Sequence, residues 1–227
     1  MASGQREVHI EVRDLTMAYG SLVIQRELKF NIYRGDIFVI MGGSGCGKST
    51  LLKHMLGLIP PSKGDILYSG KSFTGASADE QERMRRGWGI TYQSGGLFSA
   101  MTLAENVILP LQLYTGYTPA EIDEIVAYKL ALVGLAGYQA YYPSEISGGM
   151  RKRAALARAI ALEPEILFFD EPSAGLDPIS SQLLDELIQQ LQDSMGATVV
   201  MVTHELPSIF AIATNSVYLD ADRKSVV

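Results

Sequence analysis

The sequence predicts an α/β fold, with a strand–phosphate loop–helix core, an antiparallel β region ahead of it and an all-helical subdomain inserted within it. Three observations carry this. Gly42-Gly43-Ser44-Gly45-Cys46-Gly47-Lys48-Ser49-Thr50 reads G-x-x-x-x-G-K-[ST]. It lies between the apolar, β-branched run Asp36–Met41 and a stretch with Leu51, Leu52, Met55 and Leu56 at helical spacing. From about Met101 to Leu162 no strand reads convincingly, and a buried strand resumes at Ile166.

The loop's chemistry follows from its residue types. Glycines let the backbone wrap an anion so that its N–H groups point inward. The helix N-terminus adds partial positive charge at the same place. Lys48 can reach the outer phosphates, and the Ser49 hydroxyl can ligate Mg²⁺. A nucleoside triphosphate is the expected ligand. Cys46, in a loop entering a helix beside Lys48, is expected to be a reactive thiol.

Composition narrows the class. The 227 residues suit one domain over 1–227, with a core of 1–93 and 163–227 and a helical subdomain of about 94–162. Nineteen basic against 25 acidic residues give a formal charge of −6, which argues against a nucleic-acid surface. The clusters Arg83-Arg85-Arg86 and Arg151-Lys152-Arg153 read as solvated helix faces. One cysteine cannot form an internal disulfide and fits a reducing compartment. No apolar run approaches the roughly 18 residues of a membrane span, and the first residues lack a signal-peptide core. Any link to a membrane is expected to run through a partner.

In chain order, Val8, Ile10 and Val12 alternate with His9 and Glu11, as do Leu28, Phe30 and Ile32 with Lys29, Asn31 and Tyr33. Both are half-buried strands. Between them Tyr19 precedes Gly20; its ring can stack on adenine or pack at a strand end, and spacing does not choose. Asp65–Tyr68 and Lys71–Phe73 read as strands joined at Ser69-Gly70, and Trp88–Tyr92 as another, ending at Gln93 before a flexible Ser94-Gly95-Gly96. Thr118-Pro119-Ala120-Glu121 is a capping box, followed by Ile122, Ile125, Val126, Leu130 and Val133 on one face. Ile146-Ser147-Gly148-Gly149-Met150 leads into an alanine-rich helix, Arg151–Leu162.

Ile166–Phe169 is a buried strand that delivers Asp170 and Glu171 at its C-terminal end, where ligands bind in open α/β sheets. Asp170 can hold Mg²⁺ there, and Glu171 can orient or deprotonate an attacking water. After the loop Ala174–Pro178, a helix is expected to bury Leu183, Leu184, Leu187, Ile188 and Leu191. Thr198–Val202 is a buried strand ending at Thr203-His204-Glu205, and Val217–Leu219 a last strand. A lone histidine is more often structural, but His204 ends a strand beside the inferred site, which favours function.

These motifs together resemble the P-loop NTPase fold of the ATP-binding subunits of ABC transporters, over nearly the whole chain. Gly42–Ser49 matches Walker A, Ile166–Asp170 with Glu171 matches Walker B and its catalytic glutamate, and Gln93 the Q-loop glutamine. Ser147-Gly148-Gly149 matches the signature, Gly175-Leu176-Asp177 the D-loop, His204 the switch histidine and Tyr19 the aromatic that stacks on adenine. Met150 stands where many members have glutamine, and Ser173 where many have threonine. Gln93–Phe98 and Gly148–Ala159 look most like the ATPase of the bacterial Mla-type (organic-solvent-tolerance) phospholipid-trafficking system that works with MCE proteins.

The resemblance implies ATP and Mg²⁺ as ligands, with Ser49, Gln93 and Asp170 about the metal. It implies Glu171, His204 and Lys48 as the catalytic set, and nucleotide contacts from Tyr19, Gly42–Thr50, Gln93, Ser147, Gly148, Gly149 and Asp177. Its partners would be a second copy, head to tail, an integral membrane permease and an MCE-domain protein, with no nucleic acid. Its place would be the cytoplasmic face of the inner membrane, peripheral through the permease. Family members usually continue beyond the last strand seen here. A small-solute importer, for an amino acid for example, is the alternative. ABC ATPases acting on nucleic acid or ribosomes typically carry paired ATPase domains, coiled-coil insertions or zinc cysteines, which a single Walker A and one cysteine do not match.

Overall fold

In the computed structural model, residues 6–220 and the backbone of 225–226 are described. Strands β1 (Val8–Tyr19), β2 (Leu22–Tyr33), β4 (Lys63–Tyr68) and β5 (Lys71–Ser72) form an antiparallel sheet in the order β2-β1-β4-β5. The second sheet contains β3 (Ile37–Gly42), β6 (Trp88–Thr91), β7 (Ile166–Asp170), β8 (Thr198–Val202), β9 (Asn215–Leu219) and β10 (Ser225–Val226). Its order is β10-β9-β3-β8-β7-β6, parallel except for β10. The helices are α1 (Lys48–Met55), α2 (Ala78–Arg85), α3 (Leu103–Tyr114), α4 (Pro119–Leu132), α5 (Gly148–Ala159), α6 (Pro178–Met195) and α7 (Leu206–Ile212). The α/β expectation holds, with antiparallel strands β1 and β2 first, β4 and β5 joining their sheet after α1, and three α-helices between β6 and β7.

The parallel strands are buried on both faces, so they read as continuous apolar runs. Successive residues still serve opposite sides. Phe38, Ile40, Phe168, Val200 and Val202 join a core shared with α1 and the antiparallel sheet. Ile37, Val39, Leu167, Phe169, Val199 and Met201 join a second core shared with α3 to α7. This arrangement leaves the C-terminal strand ends and their loops to form a site.

Four expectations change. His9 is buried, although its alternation put it on the open face of β1, because its Nδ1 lies 2.7 Å from the Thr198 hydroxyl of the other sheet. Leu183 is 57% exposed, since the buried stripe of α6 is Leu184, Ile188 and Leu191 and Leu183 lies one step around the helix. α5 ends at Ala159 rather than Leu162: Glu163 takes a left-handed φ of 51° ahead of Pro164, and residues before proline avoid helical geometry. The Arg151-Lys152-Arg153 cluster is not a free solvated face. Arg151 Nη1 donates to the Ile146 carbonyl, Lys152 Nζ to Ala174 and Arg153 Nη1 to Val133, at 2.8 to 2.9 Å. By contrast α2 buries none of its residues, as its polar composition implied.

Candidate functional site

The phosphate-type loop leaves β3 at Gly42 and enters α1 at Lys48. Two of its glycines are sterically required. A Cβ on Gly42 (φ 148°) would stand 2.4 Å from the Leu219 carbonyl oxygen, and one on Gly47 (φ 105°) 2.6 Å from Ile24 Cγ2. The first turn of α1 has neither a capping side chain nor an acidic residue, so its N–H groups and dipole face outward. Lys48 Nζ donates to the Gly42 and Gly43 carbonyls at 2.9 and 3.0 Å, which holds its charge over the loop. Gly43, Ser44, Gly45 and Ser49 are exposed, with Thr50 partly so.

Cys46 does not fit the reactive-thiol expectation. Its side chain is buried in the core between the sheets, 5% exposed, and reagents cannot reach it without opening that core. Its backbone carries its role: the carbonyl accepts from Gln25 Nε2 at 2.9 Å.

Facing the loop are the ends of β7 and β8. Asp170 is half-buried, and burial pushes its carboxyl above the usual range, as does the charge of Glu171; Lys53 and the nearby Ser49 hydroxyl pull the other way. Two hard oxygen donors, Ser49 and Asp170, thus stand together. Glu171 adopts a left-handed φ of 49°, unusual for a residue with a side chain. Its N–H donates to the Val202 carbonyl at 2.8 Å, which fixes the turn after β7 to β8. Its Oε1 lies 3.2 Å from His204 Nδ1, and His204 Nε2 is 3.8 Å from Glu205 Oε1. A carboxylate oriented by an imidazole is arranged to take a proton from a water.

Lys152 braces this turn from α5. Its ammonium donates to the Ala174 carbonyl at 2.8 Å and the Glu171 carbonyl at 3.4 Å, and burial lowers its pKa. Sequence patterning missed this, because a cation on an alanine-rich helix carries no sign of a distant carbonyl.

A second cluster forms around the start of α5. Ser147 is exposed and caps the helix, its Oγ accepting from the Met150 N–H at 3.2 Å. Gly148 and Gly149 open that helix, and a Cβ on Gly149 would stand 3.7 Å from the Ser180 side chain and 3.9 Å from Leu176. Asp177 caps α6 with both oxygens, Oδ1 on the Ser180 N–H at 3.0 Å and Oδ2 on its hydroxyl at 2.6 Å. These bonds hold its carboxyl below the usual range. The fold thus brings Gly149 against Ser180, which Asp177 caps, brings Ser49 of the loop to Asp170 and Glu171 to His204, and links the start of α5 to the Glu171 turn through Lys152. Gln93 stands exposed beyond β6, and Tyr19 ends β1 with 46% of its surface exposed.

A sequence profile of the ABC transporter family matches residues 25–174. The chain is 43% identical over 199 residues to the probable ribonucleotide transport ATP-binding protein mkl of Mycobacterium tuberculosis H37Rv, covering 88% of this chain and 55% of that protein. It thus spans about half the length of those relatives. It is 42% identical over 217 residues to the intermembrane phospholipid transport system ATP-binding protein MlaF of Haemophilus influenzae, covering 96% of this chain and 82% of that one. For MlaF of Escherichia coli K12 the figures are 41%, 96% and 80%. Among solved structures, the dimeric post-hydrolysis state of the ATP-binding cassette MJ0796 bound to ADP and Pi superposes with a TM-score of 0.86 at 28% identity, covering 96% and 97% of the two chains. cbiO1 of Clostridium perfringens, part of the cbiONQ transporter complex, gives 0.89 at 27%, covering 97% and 88%.

Proposed function

This chain belongs to the ABC transporter family, and we propose that within it the chain is the ATP-hydrolysing subunit that powers phospholipid movement between membranes. The observation that carries the cargo assignment is the match to the MlaF proteins, which takes in 96% of this chain and at least 80% of theirs. The chemistry rests on the loop facing Asp170, Glu171 and His204.

ATP lies with its phosphates in the Gly42–Thr50 loop and its adenine against Tyr19. Lys48 leaves the loop carbonyls for the outer phosphates. Ser49 and Asp170, with Gln93, are the residues that would hold Mg²⁺, an ion that takes few protein ligands and keeps phosphate oxygens and water. When bound, that ion neutralises charge on the phosphates. Glu171 accepts a proton from the attacking water, and His204 orients the carboxylate and sits toward the γ-phosphate.

Ser147, Gly148 and Gly149 belong to the other cluster, so they serve the nucleotide of a second, head-to-tail copy, where a helix N-terminus meets the γ-phosphate. Asp177 lies at the same boundary between copies. Hydrolysis removes the shared phosphate and with it the preference for the closed pair. The motion passes to a membrane permease at the cytoplasmic face of the inner membrane, with an MCE-domain protein in the same assembly. No helix of the described residues is long and apolar enough to cross a membrane. A cavity of about 450 Å³, its aromatic and aliphatic lining of Trp88, Tyr92, Phe98 and Leu113 edged by the charged Glu82, Arg85, Arg86 and Arg158, offers the permease a seat one residue from Gln93.

The test is reconstitution with the permease in vesicles carrying a fluorescent phospholipid. ATP should drive phospholipid movement, and Lys48→Ala should abolish it. Hydrolysis stimulated only by a small solute and its binding protein, with no lipid movement, would overturn the cargo assignment in favour of import.

A further inference from the structure

We infer that Gln25 is a positioning residue of the nucleotide site, fixing the hairpin that carries Tyr19 at one distance from the phosphate loop. This rests on the nucleotide reading above and adds to it a residue that lies in none of the motifs.

The argument begins with a bulge. Met17 pairs with Gln25 and Ala18 with Val23, which leaves Ile24 as an extra residue in β2. Neighbours in a regular strand face opposite sides, and a bulge re-aims one of them. Here both Ile24 and Gln25 meet the loop: a Cβ on Gly47 would lie 2.6 Å from Ile24 Cγ2 and 3.7 Å from Gln25 Cγ. The Gln25 side chain is fully buried, and its Nε2 donates to the Cys46 carbonyl at 2.9 Å and the Asp220 carbonyl at 2.8 Å. Two carbonyl acceptors settle which way the amide points, because the reverse would set oxygen against oxygen. One NH₂ group therefore ties together the hairpin, the phosphate loop and the end of β9.

Its Oε1 has no partner among the described residues. A leucine here would fill the space without that penalty, so the amide's value lies in its two donors. Tyr19 lies on the same hairpin, opposite Leu22 at its tip. Adenine and triphosphate are parts of one ligand, so ring and loop must be held at one spacing before it arrives. Holding them so lowers the ordering cost of binding.

The experiment measures affinities of the full chain for ATP and for inorganic tripolyphosphate, in wild type, Gln25→Met, Tyr19→Ala and the double variant. Gln25→Met should weaken ATP by about ten-fold, within the range of base–aromatic stacking. Tripolyphosphate binding should change by less than about two-fold, the scale of independent sites. In the Tyr19→Ala background Gln25→Met should cost nothing further. Equal weakening of both ligands, or additive losses in the double variant, would overturn the inference and leave Gln25 as packing. A Tyr19→Ala chain that binds ATP as well as wild type would remove the adenine reading, and this inference with it. Should Gln25→Met not fold, Gln25→Asn gives the same ratio to read, because it keeps the NH₂ but draws it back by one methylene.

Discussion

The nucleotide face of the parallel sheet and the helical stretch Leu103–Ala159 are held together by different means. Around the sheet, buried polar groups join segments distant in sequence: His9 to Thr198, Gln25 to Cys46 and Asp220, and Asp36 to Thr214. In the helical stretch the buried residues are almost all apolar, with Asn106 and Lys129 the buried polar exceptions among the described residues. Its helices are set by local caps, Thr102 with Glu105, Thr118 with Glu121 and Ser147 with Met150. The first region is built to keep atoms at fixed distances. The second packs its apolar residues into one core with the parallel strands and adds α5 side chains on carbonyls, Lys152 on Ala174 and Arg158 on Gly96 at 2.8 Å each.

The contrast can be broken at four points. Glu171→Gln keeps the shape of the turn and removes its base, so turnover should fall by roughly 10²–10⁴-fold with ATP affinity and unfolding midpoint unchanged. Steady-state hydrolysis within a few-fold of wild type would rule out Glu171 as the proton acceptor.

Leu130→Ala acts on the other region. Leu130 is fully buried in α4, and the truncation should cost about 2–5 kcal/mol in denaturant unfolding. If the helical stretch is a unit of its own, part of that loss appears as a separate early transition in proteolysis or hydrogen exchange. A single transition lowered uniformly would join the two regions into one cooperative block.

Acid should discriminate next. All three histidines lie outside the helical stretch. Burial lowers the pKa of His9, aided by the Arg34 charge and opposed by Glu165, and burial likewise lowers that of His54. A depressed histidine stabilises the fold fully above its unfolded value near 6.5, and that contribution is lost as pH falls through the folded value. The unfolding midpoint should therefore decline below pH 6.5, and His54→Leu should flatten the decline. Equal slopes in the two proteins would show that His54 does not titrate differently on folding.

The smallest effect concerns a cap. Thr118→Ala removes the Oγ that accepts from the Glu121 N–H, and should cost about 1 kcal/mol without altering hydrolysis. A loss of turnover beyond that seen with other caps would place α4 nearer the chemistry than its contacts do.

How much could be read from the chain depends on the range of each signal. The loop Gly42–Thr50 is legible because strand, glycine turn and helix are contiguous, and each carries its own pattern. The cap of α4 is legible for the same reason, its partners lying three residues apart. The capping boxes of α2 at Ser77–Glu80 and of α3 at Thr102–Glu105 have the same three-residue spacing. His9 and Leu183 depart from alternation and helical spacing because one face of an element can meet more than one environment: His9 meets Thr198 of the other sheet, and Leu183 lies beside the buried stripe of α6.

By itself the sequence determined the motifs, their order, the strand-to-helix context of the phosphate loop and the caps that start the helices. All of these are contiguous or separated by one helical turn, the range over which backbone periodicity and hydrogen bonding act. Only the tertiary structure decided that Glu171 meets His204 across 33 positions, that Lys152 braces Glu171 across 19 and that Gln25 reaches Cys46 across 21. It alone buried the Cys46 thiol while turning its carbonyl to Gln25. Those pairings depend on which strand lies beside which and on where a bulge turns a side chain. A local pattern holds no record of the partner that sheet assembly will bring.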